Sequence, residues 1–243
     1  MVGAPAAQDA IARARLMPRL RVGLHLVLVE GRPVLPPERL PDLVDASGRF
    51  RGDMVRLAFD IFARPAARRQ LAEEIEAQFA AYSATGLALD HVNAHKHFHL
   101  HPTIAGKVIA IGARYGLRGL RVPVEPAGVL AAIEPSARRW PVDVAATWAA
   151  LLGRRARRAG LQIPDAVFGL AWSGAMTQPR FCGLLHHLSD GCTEIYMHPA
   201  TSDRFEGHAP GYHYADELAA LTSPEAIAAA RSADVALGGY GDF

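Results

Sequence analysis

Five of the eleven histidines fall within LDHVNAHKHFHLHP, residues 89–102: His91, His95, His97, His99 and His101. From His95 onward they occupy every second position. On an extended strand, side chains at i, i+2 and i+4 share a face. The spacing therefore predicts one wall carrying His91, Asn93, His95, His97 and His99, with Lys96, Phe98 and Leu100 opposite. A buried imidazole needs partners for two nitrogens, so a row of them makes poor core filler. Neutral imidazole is the commonest metal ligand and titrates nearest neutral pH, which suits the row to holding a cation or moving a proton. His25 in VGLHLVL and His198 in IYMHPA end two further apolar strands. His186 and His187 on a helix, and His208 and His213 in a loop, read as surface residues.

The segments around these residues alternate in type. An amphipathic first helix, with Ala7, Ala10, Ile11, Ala14 and Met17 on one face, precedes a buried strand in LRVGLHLVLVEG (20–31). A proline-rich ordered loop follows, then a helical period over 53–84 through Met54, Leu57, Ile61, Leu71, Ile75 and Phe79, bent at Pro65 and stopped at Gly86. After the histidine strand come a helix opened by Pro102 and closed by Gly116, a strand in LRGLRVPVE, and a helix over 142–160. DAVFGLAWSG gives a short strand, TQPRFCGLLHHL a helix and CTEIYMHPA a strand, before two short helices. Alternating strands and helices imply a parallel sheet with helical crossovers. No GxGxxG or GxxxxGK[ST] is present, which favours a barrel over a dinucleotide-type open sheet. In barrels the chemistry sits at the C-terminal ends of strands, where these histidines fall.

The totals limit the alternatives. A formal charge of +2 on 243 residues is too small to suggest a dedicated nucleic-acid binder. Arg154, Arg155, Arg157 and Arg158 read as the solvated face of a helix. Cys182 and Cys192 form neither a metal motif nor a disulfide framework and fit a reducing, cytoplasmic setting. No apolar run approaches a membrane span, and the first 20 residues lack the pattern of a signal peptide.

In the order VGLHLVL, HVNAHKHFHLHP, RVPVEP and EIYMHPA, the motifs resemble the YdjC-type carbohydrate deacetylases. LVLVEGRPVLPP, NAHKHFHLHPTIAG and DAVFGLAWSGAMT resemble its hopanoid-biosynthesis-associated branch. The resemblance implies a single domain over 1–243 with an α/β fold, a distorted TIM-like barrel. It also implies a divalent metal, magnesium or zinc, and removal of the N-acetyl group from an N-acetylglucosamine-type sugar, here on a hopanoid glycolipid. By resemblance, His25 and His95 are metal ligands, His198 is the acid that protonates the departing amine, and Arg121 lies on the rim of the site. His97 and His99 would touch the ligands or the sugar. Trp172, with Phe168, Leu170 and Met176 of FGLAWSGAMT, would form an apolar groove for the lipid. Peripheral contact with membrane lipid at the inner membrane surface and a homodimer are further expectations.

Two departures qualify these expectations. Asn93-Ala94 stands where many relatives have Asp-Ser, and an amide cannot act as a base. The family's opening Asp-Asp-Phe-Gly strand, which supplies a carboxylate ligand and the general base, has no counterpart. By this resemblance Met1 falls at the end of the second strand, and the barrel lacks its first. Two imidazoles alone suit magnesium poorly and fall short of the three protein ligands usual for zinc. A catalytically impaired or metal-binding scaffold therefore stays open beside the enzyme. So does another metal-dependent amidohydrolase, through the His95-Lys96-His97 pair.

Overall fold

The computed structural model describes residues 1–136 and 142–243, with the side chains of 142–145 left undescribed. In chain order the elements are α1 (Ala7–Arg15), β1 (Val22–Leu26), α2 (Met54–Ala63), α3 (Pro65–Ser83), β2 (Leu89–Ala94) and α4 (Pro102–Arg114). They continue with β3 (Gly119–Leu120), α5 (Ala127–Ile133), α6 (Val142–Arg158), β4 (Ala166–Phe168), α7 (Gln178–His186), β5 (Thr193–Ile195), α8 (Tyr214–Thr222) and α9 (Pro224–Ser232). The alternation read from the sequence is present, with shorter strands. All pairings between these strands are parallel, in a three-stranded sheet of order β1-β2-β3 and a two-stranded sheet β4-β5. Among the described residues no closed barrel forms, and β1 is an edge strand whose one neighbour is β2.

Two compact units divide the span of 1–243: residues 1–122, 147–163 and 238–243 form the first, and 123–146 with 164–237 the second. In the first, strand alternation sorts the side chains. Leu24 and Leu26 of β1 and Val92 of β2 are fully buried, as are Leu71, Ile75 and Phe79 of α3 and Ile104 and Val108 of α4. Gly23, His25, His91 and Asn93 take the alternate positions of the same strands. Helix ends follow local chemistry. The Asp53 side chain caps α2 by accepting from the Arg56 N–H, and Pro65 opens α3 after an extended Arg64. His101 caps α4 through the Thr103 N–H, directly before Pro102. The first helix carries the half-buried Ala7, Ile11 and Ala14 on its inward face, while Ala10 and Met17 are exposed.

Past β1 the chain leaves the sheet because α3 takes over its hydrogen bonds. Gln78 accepts from the Val27 N–H at 3.0 Å and donates to the Val27 carbonyl at 2.7 Å. Glu74 accepts from the Val34 and Leu35 N–H groups at 2.8 and 3.0 Å, and Gln78 also donates to it. Burial raises the Glu74 carboxyl above the usual carboxylate range, and these three donors oppose the rise. The stretch from Val27 to Leu35 is thus held by two buried polar side chains of one helix.

In the second unit, Leu130, Phe168, Trp172, Met176, Phe181 and Leu184 pack with Ala226 and Ala229. Glu125 accepts from the N–H groups of Gly169, Leu170 and Ala171 at 2.9–3.0 Å, which fixes the turn after β4. Gly169 sits at φ +120° with the Tyr196 carbonyl against it, a place no side chain fits.

Gln78→Leu keeps the volume but orphans two buried backbone groups, each costing about 1–3 kcal/mol. Urea unfolding followed by circular dichroism should show a loss of roughly 2–4 kcal/mol.

Candidate active site

His25, Asn93 and His95 lie at or just past the C-terminal ends of β1 and β2, and Asp90 and His91 extend the polar row back toward the start of β2. His25 and Asn93 are register partners, and the His25 ring donates from Nδ1 to Asn93 Oδ1 at 2.5 Å. The same amide points its Nδ2 at His91 Nε2, 3.3 Å away, and His91 Nδ1 lies 2.9 Å from Asp90 Oδ2. These contacts order Asp90, His91, Asn93 and His25 into one chain in which every proton position follows from its neighbour. Asp90 accepts, so His91 donates from Nδ1 and accepts at Nε2. Asn93 donates there and offers its carbonyl oxygen to His25, which leaves the lone pair of His25 on Nε2. Burial would raise the Asp90 carboxyl, but hydrogen bonds from His91, Gly241 and Tyr240 hold it below the usual range. Gly23 makes room for this chain, since a Cβ there would lie 2.5 Å from the His91 ring.

His95 stands beside His25, ring centroids 5.9 Å apart and nearly perpendicular. Burial pushes the His25 imidazole down to about 3. The His95 imidazole is also lowered, mainly by burial and despite Glu30, whose carboxylate lies 3.7 Å from its Nε2. Both rings are therefore neutral at pH 7, the state a metal ligand requires. Lys96 forms an ion pair with Glu30. Arg121 is buried, its N–H bonds to the Val92 carbonyl at 3.0 Å, and its charge contributes to keeping His25 neutral.

The continuous histidine strand is corrected by the structure. Strand β2 ends at Ala94, and His95–Leu100 forms a kinked 3₁₀ turn with Lys96 and His97 at φ +52° and +53°. Period two holds for His91 and Asn93 and is lost where the chain turns over, so His95, His97 and His99 do not share a strand face. Glu30, at φ +59°, completes the set of non-glycine residues with positive φ among the described residues. Glu30 faces His95, and Lys96 pairs with Glu30. Such strain costs on the order of 1–3 kcal/mol per residue and clusters at functional sites.

The remaining predicted site residues have other placements. His99 is fully buried and donates from Nε2 to the Arg121 carbonyl at 2.8 Å; of its two expected roles this position disfavours direct sugar contact and is compatible with support of neighbouring site residues. His97 is half-buried, its ring 6.2 Å from His99. His198 belongs to the second unit, just past β5, with Nδ1 4.0 Å from the buried Glu217 carboxylate and its ring edge-on to Tyr196 and Tyr212. Glu217 also accepts from the backbone N–H groups of His198 and Met176. Trp172 is 3% exposed in the core of that unit, with the Arg180 guanidinium 5.3 Å from its ring centroid. Phe168, Leu170 and Met176 are buried too, so the apolar groove expected from FGLAWSGAMT is core instead. Sequence reasoning missed Glu30, Asp90 and Glu217. The signal for Asp90 was its place beside His91 on the strand, whereas Glu217 lies on a helix far along the chain and left none.

Residues 1–232 match the family described as YdjC-like protein. The chain belongs to the YdjC-like family. Among its relatives, a carbohydrate deacetylase of Geobacillus stearothermophilus is 30% identical over all of this chain and 84% of its own. A carbohydrate deacetylase of Brevibacillus brevis is 31% identical over 93% of this chain and 79% of its own. The fold is shared with a crystal structure from Enterococcus faecalis described as a cellobiose-phosphate cleavage protein. Its TM-score is 0.73 at 24% identity, covering all of this chain and 85% of that one.

The fit of a divalent metal to this YdjC-like site follows from the imidazole pair. Zinc–nitrogen bonds of about 2.1 Å from two rings place their centroids on the order of 5.5 Å apart, close to the 5.9 Å observed. The pair fits in kind, protonation and spacing. It falls short in number: among the described residues no three His, Cys, Asp or Glu side chains are grouped to hold a metal.

Two outcomes test the chain of fixed protons. Asn93→Leu removes the acceptor that orients His25 and should weaken zinc binding about 10–100-fold in calorimetric titration. Because the folded His25 value lies below the unfolded one, its contribution to stability is present above about pH 6.5. That contribution is lost as the pH falls toward 3. His25→Asn should therefore flatten the fall in stability between pH 6.5 and 3, measured by urea unfolding.

Proposed function

We propose that this chain is a carbohydrate N-deacetylase that hydrolyses the acetamide of an N-acetylglucosamine-type sugar, with a divalent metal held in part by His25 and His95. The observation that carries the reading is the His25–His95 pair of imidazoles, centroids 5.9 Å apart, one near the end of β1 and the other just past β2. One of them has its Nε2 lone pair presented by Asn93. The names of the Geobacillus and Brevibacillus relatives supply the substrate class.

Amide hydrolysis needs an activated water, a stabilised oxyanion and a protonated leaving amine. A bound metal lowers the pKa of its water and polarises the carbonyl. The chain's own residues supply the rest. Asn93 fixes the tautomer of His25, and Arg121 adds a buried positive charge near the pair, suited to an oxygen that gains negative charge. The acid role of His198, whose Nδ1 lies 4.0 Å from the Glu217 carboxylate within the second unit, rests on the family resemblance alone. Alternating parallel strands and helices support completion of the fold as a TIM-like barrel. The loop wording shared with the hopanoid-associated branch supports a glycolipid carrying the sugar, and the free thiols of Cys182 and Cys192 support a cytoplasmic setting.

The shortfall in ligands favours a second reading, a metal-binding scaffold without turnover. Acetate release from diacetylchitobiose, measured with zinc, magnesium or cobalt added, separates the two. The enzyme reading expects metal-dependent release that His25→Ala and His95→Ala each reduce by about 10³-fold or more. Zinc binding that depends on His25, with no acetate released under any metal, would establish the scaffold instead.

A further inference from the structure

Helix α2 leaves one face without a protein partner. Leu57 and Ile61 are buried, while Val55, Phe59 and Phe62 are 82%, 67% and 67% exposed. Spaced i, i+4 and i+7, these three line one stripe of the helix. Isolated exposed apolar side chains are ordinary, but two phenylalanines and a valine aligned on one short helix form a contact surface. Along residues 49–69 the charge is predominantly basic, with six arginines (Arg49, Arg51, Arg56, Arg64, Arg68 and Arg69) against Asp53 and Asp60, although the whole chain carries only +2. Arg51 is engaged by Asp60, Arg64 by Asp42 at 2.6 Å and Arg49 by the Glu30 carbonyl, and Asp53 is the cap of the helix, so the basic charge offered to a partner is that of Arg56, Arg68 and Arg69.

We propose that α2 is a peripheral membrane-docking element that inserts Val55, Phe59 and Phe62 into the interface of an anionic bilayer while the neighbouring arginines engage lipid phosphates. The apolar term alone is small: the exposed parts of two phenylalanines amount to on the order of 250 Å². A single weak apolar anchor gives only marginal, reversible binding, and stable attachment takes a second signal such as a basic patch. The arginines around α2 are that second signal, and their charge selects an anionic lipid surface over a neutral protein partner. No helix among the described residues is long and apolar enough to cross a membrane, so attachment would be in the plane of the surface. The helix also lies beside the candidate site. Arg49, just before α2, donates to the Glu30 carbonyl, and the Glu30 carboxylate lies 3.7 Å from His95. Docking on α2 would therefore hold the mouth formed by His25 and His95 near the lipid surface. This inference stands on the exposed stripe and its charge, independently of the deacetylase reading.

The test is co-sedimentation of the full chain with phosphatidylcholine vesicles, with and without about a third phosphatidylglycerol. Binding to the anionic vesicles should exceed binding to the neutral ones by at least tenfold. It should fall by a similar factor at about 0.5 M salt, where screening shortens to roughly 5 Å. Phe59→Ser with Phe62→Ser should abolish it with little change in the unfolding midpoint, because both residues are two-thirds exposed. Arg56→Gln with Arg68→Gln and Arg69→Gln should remove the preference for anionic lipid. Equal or absent binding to both vesicle types would overturn the proposal. So would a homodimer in light scattering that the double Phe variant dissociates, since the stripe would then be a self-interface. Acetate release from a soluble sugar should be unchanged in the Phe variant, so that loss of docking and loss of catalysis are read separately.

Discussion

The amide of Asn93 is the constraint on which the candidate site rests. It faces two histidines and treats them oppositely, accepting from His25 and donating to His91. A carboxylate at the same position could accept from His25 but could give nothing to His91. The amide thus couples the buried Asp90, through the half-buried His91, to His25 and leaves no choice of tautomer along the way. Asp90 in turn receives the backbone N–H groups of Tyr240 and Gly241, so the C-terminal turn of the chain anchors the far end of the same network. The ring of His91 stacks on Tyr240, with centroids 4.5 Å apart.

Around this network the backbone is held away from its preferred conformations. Glu30, Lys96 and His97 all occupy the left-handed region, where a side chain is disfavoured. The Glu30–Lys96 ion pair ties the first to the second, and the buried His99 ties the end of the turn to the carbonyl of Arg121. The turn after β2 is thereby tied to the segment after β1 and to the backbone just past β3. Groups held in place by such ties need little reorganisation when a ligand arrives.

Much of this was legible in the sequence. The strand containing His25, the break at Pro65, the helix opened by Pro102 and the alternation along the chain all follow from periodicity and punctuation, and the structure places them as read. The His25–His95 pairing was legible from the motif resemblance, although the reasoning that put His95 on a strand was wrong. Period two cannot announce where a strand ends when the turn is made of non-glycine residues in left-handed conformations. Lys96 and His97 carry no such signal. The groove assigned to FGLAWSGAMT failed for a different reason: apolar side chains after a strand read the same whether they line a cleft or fill a core. Glu125 and Glu217 satisfy backbone donors of the turns after β4 and β5, a long-range task that no local pattern reveals.

The central claim is that Asn93 holds His25 in the Nδ1–H form so that Nε2 is free to bind an ion shared with His95. Long-range ¹H–¹⁵N correlation spectra of the imidazoles test this most directly, because they report the protonation of each ring nitrogen. At pH 7 the account predicts a neutral His25 ring protonated on Nδ1, with added zinc shifting Nε2 of His25 together with one nitrogen of His95. A His25 ring protonated on Nε2, or a zinc response that leaves either His25 or His95 unmoved, would contradict it.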